Sequence, residues 1–486
     1  MTSSQNDITT LRVHPLSGGD PHGTVFIGDG RVFRGVVVEA QDETRELFEH
    51  GVIDSLIATR LIPNTWISEI QLPGFPLVLE QEHLPCLTYS YEWTFSMLRD
   101  AGELVLDLRE ALNEYGYDLK DAHPDNITFN GTIPLWMDIG SFTKDGNLDH
   151  WSAEMRYRQS FIYPLQIWSR YGDLIGRRML VGGDYISFES AVVAIKPWTR
   201  FSSSKNLKRF SRVKDIYNGL YGVSVDEFRE KASRIPWFSA VLGKYPLIEK
   251  SCHRILSSKK LPYRKTSMSN IKAQLHTIHN SAFESRWKDY HSNVLLEVGS
   301  IEGYPRFVKV IEILNQLKPA SVTDIGANQG LLARFILDRV CPKRVIAIDI
   351  DGDALDDSYC ANRRLETSVY HAVLDITRPV IQIPKASPEE RLRSEAVVAL
   401  AVTHHMIISQ YNSAEYTLHR IASFADKWLL IEYMPYGLHT IPVEYKPPLS
   451  YSVEKFEAAF RSVAEIMGVY ELEPTRILYV GRKKLN

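Results

Sequence analysis

The sequence has few cysteines and no long hydrophobic run. Four cysteines stand far apart in 486 residues without the spacing of a metal site, at Cys86, Cys252, Cys341 and Cys360. We therefore expect reduced thiols, with neither disulfides nor structural zinc. No stretch approaches the roughly 18 apolar residues of a membrane span, and the opening MTSSQNDITT lacks the basic and apolar regions of a signal peptide. These absences predict a cytoplasmic protein.

The chain also lacks a net excess of either charge, because 56 basic residues nearly balance 59 acidic ones. The two signs are nevertheless separated. Residues 1–150 hold 9 Lys and Arg against 24 Asp and Glu, whereas residues 195–275 hold 18 against 5. The basic segment could dock on the acidic part of the same chain. It could instead bind a phosphorylated glycan, an anionic lipid headgroup or a membrane surface, and nucleic acid is the least favoured partner.

Residues 321–330, SVTDIGANQG, are typical of a buried strand, a glycine turn and the start of a helix. In open α/β sheets this junction binds nucleotide-like ligands. Gly326 and Gly330 predict a tight corner in which a ligand lies against backbone N–H groups. Asp324, just before the turn, would repel a phosphate and attract an ammonium or sulfonium group. The G-x-G-x-x-G fingerprint of nicotinamide enzymes is absent, so the turn favours S-adenosylmethionine.

Polar residues recur at the ends of the strands that follow. Asp349 comes about 20 residues after the last glycine, where a carboxylate can accept the ribose hydroxyls, and Asp351 is the near alternative. Asp375 follows a third strand and is placed to receive the adenine amino group. The fourth and fifth strands end in His404, His405 and Glu432. Ser452 is predicted to cap a helix, and residues 467–483 are predicted to form a closing hairpin.

Together these segments resemble a class I S-adenosylmethionine-dependent methyltransferase, with DIGANQG as its first motif. The resemblance covers residues 284–486. It implies an α/β, Rossmann-like domain with a seven-stranded sheet whose last strand is antiparallel. The cofactor contacts that it implies are Asp324, Gly326, Asn328, Gly330, Asp349 and Asp375.

The end of the fourth strand bears on the acceptor. It reads VTHH, not the N-P-P-Y or D-P-P-Y type of sequence that similar enzymes use on amino groups of bases and on glutamine. Nucleic-acid amino methylation therefore loses support, and oxygen is the better acceptor. His404 or His405 could remove its proton, because an imidazole titrates near neutral pH. Alternatively, one histidine only pins the strand end. Glu432 could orient a histidine or bind a sugar hydroxyl.

The N-terminal third carries a second set of motifs. A predicted hairpin over residues 23–40, a strand and a long helix precede the segment YDLKDAHPDNITFN. Asp121 and Asn126 have the spacing of the kinase catalytic loop, and Asp138 falls where the D-F-G aspartate would. This stretch resembles the C-lobe of protein kinases or aminoglycoside kinases. Both parts together resemble a family of two-part bacterial methyltransferases that includes nodulation host-specificity proteins. That resemblance implies a saccharide or glycan-linked acceptor, which the charge of the basic segment would allow to be phosphorylated or lipid-linked.

The kinase resemblance has one clear gap. Kinases hold the ATP phosphates with a lysine on an early strand, whereas this chain has no lysine before Lys120. Glu39 lies near the expected place, and Arg34 is an imperfect substitute because a guanidinium and an ammonium are not interchangeable there. The three motif residues could hold a divalent ion and a phosphorylated ligand, or form a relic that supports the acceptor. Phosphotransfer is the least favoured role.

We expect four segments along the chain. They are a flexible tail (1–22), a degenerate α+β kinase-like domain (23–194), a basic helical connector (195–275) and the methyltransferase domain (276–486). The favoured hypothesis is an S-adenosylmethionine-dependent O-methyltransferase acting on a saccharide or glycan-linked acceptor. The alternatives are a bifunctional glycan kinase and methyltransferase, and a noncatalytic binding or regulatory protein. No metal is expected at the methyltransferase site, and any membrane contact would be peripheral.

Overall fold

The computed structural model describes residues 11–15, 17, 20–144, 151–181, 268–280, 303–382, 385–438, 448 and 450–484. In these ranges the chain forms an N-terminal α+β domain and a C-terminal α/β domain. None of the helices in the ranges given above combines the length and the apolar character that crossing a membrane requires.

The N-terminal domain contains an antiparallel sheet and two smaller strand pairs. Its strands are β1 (Arg12–Val13), β2 (Gly23–Gly28), β3 (Arg31–Val36), β4 (Thr65–Ile67), β5 (Leu77–Gln81), β6 (Tyr117–Leu119), β7 (Ile127–Asn130), β8 (Ile133–Trp136) and β9 (Phe142–Lys144). The first five form one sheet in the order β1-β2-β3-β5-β4, while β6 pairs with β9 and β7 with β8. The predicted hairpin and strand are thus present.

Helices complete the N-terminal domain. They are α1 (Gln41–Glu49), α2 (Val52–Ala58), α3 (Phe95–Glu114), α4 (Glu154–Tyr157), α5 (Tyr163–Tyr171) and α6 (Asp173–Arg178). The long helix α3 runs through the core of the domain. The side chain of Thr94 caps it by accepting a hydrogen bond from the Met97 N–H. The domain has the predicted α+β composition, and its likeness to kinases stays a prediction.

The N-terminal domain begins earlier than predicted. Residues 12–13 form β1, which pairs with β2, and Asp20 forms an ion pair with Arg34. The prediction of a flexible tail over residues 1–22 is therefore wrong for the described part of that segment, because backbone and side-chain contacts fix it to the sheet. A strand of two residues is too short to show an alternating pattern in the sequence. Residues 1–10 lie outside the described ranges.

Only the end of the basic connector lies within the described ranges. Residues Met268–His276 form helix α7, which packs two buried apolar residues against the N-terminal domain. Its Lys272 lies 2.7 Å from a carboxylate oxygen of Asp107 and 2.5 Å from one of Glu110. This part of the connector is helical and docks on the acidic domain of the same chain. The rest of the connector, up to residue 267, lies outside the described ranges.

The C-terminal domain is built on one seven-stranded sheet. Its strands are β10 (Ser321–Ile325), β11 (Arg344–Asp349), β12 (Val369–Val373), β13 (Ser394–Ala399), β14 (Ala425–Tyr433), β15 (Ala464–Glu473) and β16 (Arg476–Lys483). They are ordered β12-β11-β10-β13-β14-β16-β15. The neighbours pair in parallel except for β16, which is antiparallel to both β14 and β15. The predicted seven-stranded sheet with an antiparallel last strand is confirmed.

Helices cover both faces of this sheet, which explains why its central strands are apolar on both sides. They are α8 (Pro305–Leu317), α9 (Leu331–Arg339), α10 (Gly352–Arg364), α11 (Pro388–Arg391), α12 (Ala414–Ser423) and α13 (Val453–Val463). Ser452 caps α13, as predicted, by accepting a hydrogen bond from the Lys455 N–H. Because strands β10 to β14 run parallel to one another, their carboxyl ends meet at one edge of the sheet.

A buried ion pair joins the two domains. Glu92, on a single 3-10 turn of the N-terminal domain, faces Arg391 at the end of α11. Two guanidinium nitrogens donate to its two carboxylate oxygens at 2.5 and 2.9 Å. Only 1% of the Glu92 side chain and 3% of the Arg391 side chain are exposed. Each charge therefore depends on the other for compensation.

We expect Arg391→Met to lower the free energy of unfolding by about 3–5 kcal/mol, because it leaves the Glu92 carboxylate buried and unpaired. Arg391→Met combined with Glu92→Leu should recover most of that loss. Lys427→Met, which removes an exposed ion pair with Glu395, should cost less than about 1 kcal/mol. Urea unfolding of the three variants measures these values. Equal losses for the single Arg391 variant and the double variant would contradict this account of the pair.

Candidate active site

A cavity of about 590 Å³ opens at the carboxyl edge of the C-terminal sheet. It lies where β10, β11 and β13 end, on the side predicted from the polar residues at the strand ends. Of the predicted site residues, the cavity is lined by Asp324, Gly326, Asn328, Asp349, Asp375, His404 and His405. Gly330, Asp351 and Glu432 lie outside its lining.

The glycine turn closes one side of the cavity. Gly326 has a φ of 78°, and a Cβ atom there would come within 2.8 Å of Val402. The N–H groups of Gly326 and Ala327 both donate to the Ile348 carbonyl, at 2.8 and 3.0 Å. The Asn328 N–H donates to the Asp349 carboxylate at 2.7 Å. These turn amides are bonded within the protein, which corrects the expectation that they receive the ligand and disfavours a phosphate cradle at this turn.

Gly330 has a packing role instead of lining the cavity. It precedes α9 in the left-handed conformation, with a φ of 69°. A Cβ atom at this position would overlap the Ser358 hydroxyl on α10. Glycine is therefore required for the close approach of the two helices.

Two carboxylates, those of Asp324 and Asp349, line the cavity. Asp324 is 2% exposed, and its Oδ2 atom has no hydrogen-bond partner in the structure. Burial, together with the nearby negative charge of Asp349, raises the pKa of Asp324 to about 7. Loss of water contact raises the pKa of Asp349 to about 6, against the stabilising backbone N–H groups of Asp351 and Asn328. A positively charged ligand would favour the ionised form of both acids and so lower their pKa values.

The other two predicted acids of this region have different positions. The Asp351 side chain caps α10 by accepting hydrogen bonds from the N–H groups of Asp353 and Ala354, both at 3.1 Å. This role explains its place in the sequence and leaves Asp349 as the carboxylate at the cavity. Asp375 lines the cavity, and its Oδ1 atom accepts hydrogen bonds from the N–H and hydroxyl of Thr377.

The two histidines stand side by side after β13. Their ring centroids are 4.2 Å apart, and both line the cavity. His404 is 4% exposed, and its Nδ1 atom has no hydrogen-bond partner. Burial, His405 and Arg476 lower the pKa of His404 to about 3. His404 therefore stays neutral at physiological pH, contrary to the expectation of a group that titrates near neutrality. His405 is half-buried.

Glu432 lies behind the cavity wall, contrary to its predicted contact with a histidine or a sugar hydroxyl. Its side chain is fully buried, and its Oε2 atom accepts hydrogen bonds from Arg476 at 2.8 Å and from the Ala401 N–H at 2.7 Å. Ala401 has a φ of 54°, a strained conformation for a residue with a side chain. Glu432 thus fixes the bend after β13 and holds Arg476 at the cavity.

Two arginines of the cavity were missed in the sequence. Arg306 lies in the first turn of α8, and Arg476 is the first residue of β16. The Arg476 side chain is 7% exposed and also lies 3.2 Å from Glu473. Neither arginine stands at a fixed spacing from the glycine motif, so only the fold brings them to the site. The proline that begins α8 marks a helix start, which was the one local signal near Arg306.

The kinase-like motif residues lie in the N-terminal domain. The Asn126 side-chain amide donates to Asp121 at 3.1 Å. The guanidinium of Arg34 lies 3.1 Å from the Asp138 carboxylate and also pairs with Asp20. Within the described ranges, no group of three or more His, Cys, Asp or Glu residues is arranged to hold a metal ion. Arg34 therefore supplies the positive charge beside Asp138.

No family model matches the sequence. The chain is 23% identical to nodulation protein NoeA of Rhizobium meliloti (strain 1021) over 447 residues, which cover 86% of this chain and 83% of that protein. It is structurally similar to a SAM-dependent methyltransferase from Aquifex aeolicus, with 15% identity over 42% of this chain and 100% of that one and a TM-score of 0.31. A second similar structure is the N-methyltransferase NodS from Bradyrhizobium japonicum WM9. It has 11% identity over 37% of this chain and 94% of that one, with a TM-score of 0.27. The predicted resemblance to nodulation proteins is confirmed.

The cavity fits S-adenosylmethionine on its own geometry. It offers a buried carboxylate oxygen without a partner, a second carboxylate beside it, and a glycine corner with no room for a side chain. The ammonium and sulfonium groups of this cofactor are cations, and its ribose carries two hydroxyl donors. The bonded turn amides leave no comparable site for a pyrophosphate.

We expect the affinity for S-adenosylmethionine to be about tenfold weaker at pH 6 than at pH 8, because a pKa near 7 leaves Asp324 largely protonated at the lower pH. Folding raises the pKa values of Asp324 and Asp349, so these carboxyl groups stabilise the folded protein at low pH. This stabilisation is lost as the pH rises through the range 6–7. The melting temperature of the ligand-free protein should therefore fall over that range, while the gain on cofactor addition grows. Titration calorimetry and thermal denaturation measure both effects.

Asp324→Asn is the control for this pH dependence. Without the titrating carboxyl, the variant should bind weakly at both pH values and lose most of the difference between them. A wild-type affinity that does not change between pH 6 and pH 8 would show that Asp324 does not face the cation.

Proposed function

We propose that this chain is an S-adenosylmethionine-dependent O-methyltransferase acting on a saccharide or glycan-linked acceptor. The observation that carries the proposal is the adjacency of Asp324 and Asp349 in a cavity at the carboxyl edge of the sheet. Two carboxylates with raised pKa values favour a ligand that brings positive charge and hydroxyl donors. The sequence resemblance to methyltransferases supports the same cofactor.

The lining residues divide between the parts of the cofactor. Asp324 would face its cationic methionine end, and Asp349 would accept the ribose hydroxyls. Asp375 and the exposed side chain of Ile350 would border the adenine. Arg306 also lines the cavity, and its positive charge partly offsets the rise in the pKa of Asp324. Arg306 therefore lies on the same side of the cavity as Asp324. It would pair with the carboxylate of the methionine end.

The histidines and Arg476 form the acceptor side of the cavity. When bound, the cofactor supplies a methyl group on a sulfonium sulfur, which an aligned oxygen can attack in line. We assign the base to His405, which is half-buried and lines the cavity. As the carbon–oxygen bond forms, the methyl–sulfur bond would break with its electron pair left on sulfur, and the hydroxyl proton would pass to a ring nitrogen of His405. The neutral His404 ring, with its free Nδ1 atom, would hold the acceptor by a hydrogen bond.

The saccharide acceptor is supported by the nodulation-protein resemblance and by the polar lining. His404, His405, Gln410 and Arg476 of the cavity lining carry hydrogen-bonding groups, as an array of hydroxyl groups requires. The N-terminal domain would support the acceptor and not transfer phosphate, because Arg34 already pairs with Asp138. A cytoplasmic location and peripheral contact with a lipid-linked acceptor belong to the same proposal.

We expect His405→Ala to lower turnover by about 10²- to 10⁴-fold while cofactor affinity stays within about twofold, because the variant loses the proton acceptor only. His419→Ala, an exposed histidine outside the cavity, is the matched control and should be fully active. Steady-state kinetics at saturating cofactor across pH 5–9 should also show that His405→Ala loses the fall in turnover at acidic pH, because a base accepts a proton only in its deprotonated form. An active His405→Ala enzyme with an unchanged pH profile would remove His405 from the reaction.

The acceptor can be identified by incubating the full chain with S-adenosylmethionine and glycan extracts and searching by mass spectrometry for the mass of one added CH₂ group. We expect the increment on a glycan hydroxyl and its loss with Asp349→Ala. Cofactor binding without any turnover would favour the noncatalytic alternative. Transfer of labelled γ-phosphate that Asp121→Ala abolishes would favour the bifunctional one.

A further inference from the structure

Helix α10 connects the cofactor site to the N-terminal domain. It begins at Gly352, directly after the capping residue Asp351 and three residues after Asp349. Its inner side packs on the glycine turn, where Ser358 excludes any side chain at position 330. Gln329 of the turn also donates to the Asp357 carboxylate at 3.2 Å. Any shift of α10 would therefore move both the acid that binds the ribose and the turn that borders it.

The outer side of α10 is held by helix α3 of the N-terminal domain. The carboxylate of Asp356 accepts one hydrogen bond from the Ser96 N–H and one from the Ser96 hydroxyl, both at 2.9 Å. One turn further on, the Tyr359 hydroxyl donates to Asp100 at 2.8 Å. Arg363 lies 2.8 Å from the same carboxylate. Tyr359 is fully buried and belongs to the apolar core of the N-terminal domain.

The first turn of α10 has N-terminal contacts of its own. A side chain at Gly352 would overlap the carboxylate of Asp173, which begins helix α6 and is held by Arg177 at 2.6 Å. Asn280, after the connector helix, donates to Asp353 at 2.9 Å. The segment that follows Asp349 is thus enclosed by α6 and by the residues after α7.

We propose that the N-terminal domain is a structural part of the cofactor site, and that Ser96 and Asp100 are positioning residues for Asp349. These two residues act through α10 and touch no cavity atom. Their contacts with Asp356, Tyr359 and Arg363 replace water on a helix face that would otherwise be exposed. These contacts fix the helix that begins three residues after Asp349. The inference rests on the proposed cofactor and extends it, because it assigns the N-terminal domain a role in cofactor affinity that is independent of any acceptor.

The test compares two buried aspartates of the same domain in the full chain. Asp100 holds α10, whereas Asp118 is paired with Arg109 at 2.7 and 3.0 Å inside the N-terminal domain. Ser96→Ala combined with Asp100→Asn should weaken S-adenosylmethionine binding by about fivefold or more. Asp118→Asn should leave affinity within about twofold of wild type, although it lowers the melting temperature. Titration calorimetry gives the affinities.

Hydrogen exchange gives a readout that general destabilisation would not move. Amides of residues 349–355 should exchange faster in the Ser96 and Asp100 double variant and at the wild-type rate in Asp118→Asn. If the double variant does not fold, Tyr359→Phe decides the question, with Tyr479→Phe as its control because that buried hydroxyl bonds Glu457 at 3.1 Å away from α10. The inference predicts weaker binding for Tyr359→Phe alone.

The outcomes separate the inference from the proposed function. Wild-type protein that binds S-adenosylmethionine, with equal affinity in the α10 variants, would overturn the positioning role and leave the methyltransferase proposal standing. Wild-type protein that does not bind S-adenosylmethionine would overturn the proposed function and the inference with it.

Discussion

Two carboxylates that repel each other are held side by side at one edge of the C-terminal sheet, and the cavity depends on that constraint. Strands β10 and β11 are parallel neighbours in fixed register, so Asp324 and Asp349 cannot separate. Burial raises the pKa of both acids, and the negative charge of Asp349 raises the pKa of Asp324 further. A cation bound between them would remove the repulsion. The same edge of the sheet therefore disfavours phosphate and favours a sulfonium cofactor.

The parts of the fold that depend on local pattern could be predicted. Continuous apolar runs identified the parallel strands, and the glycine turn identified the first of them, because both signals lie in adjacent residues. The predicted cofactor acids Asp324, Asp349 and Asp375 reach the cavity for the same reason. Asp324 and Asp349 are among the last two residues of β10 and β11, and Asp375 lies two residues after β12, so the parallel sheet gathers them at one edge.

The remaining site residues depend on contacts between distant segments. Glu432 also lies at the end of a strand, β14, but the neighbouring strand β16 brings Arg476 against it, and the ion pair withdraws it from the cavity. The spacing of Gly330 gave no sign of Ser358, whose hydroxyl lies across the helix interface. His404 is neutral because burial and the neighbouring side chains of His405 and Arg476 lower its pKa. None of these effects is visible in a short stretch of sequence.

The most direct measurement is a crystal structure of the full chain with S-adenosylhomocysteine, which lacks the transferable methyl group. The account predicts the ligand in the C-terminal cavity, with its ribose hydroxyls hydrogen-bonded to Asp349 and its amino group facing Asp324. Helix α10 should keep its contacts with Ser96 and Asp100. A ligand bound elsewhere on the chain, or bound in the cavity with Asp349 turned away from the ribose, would contradict it.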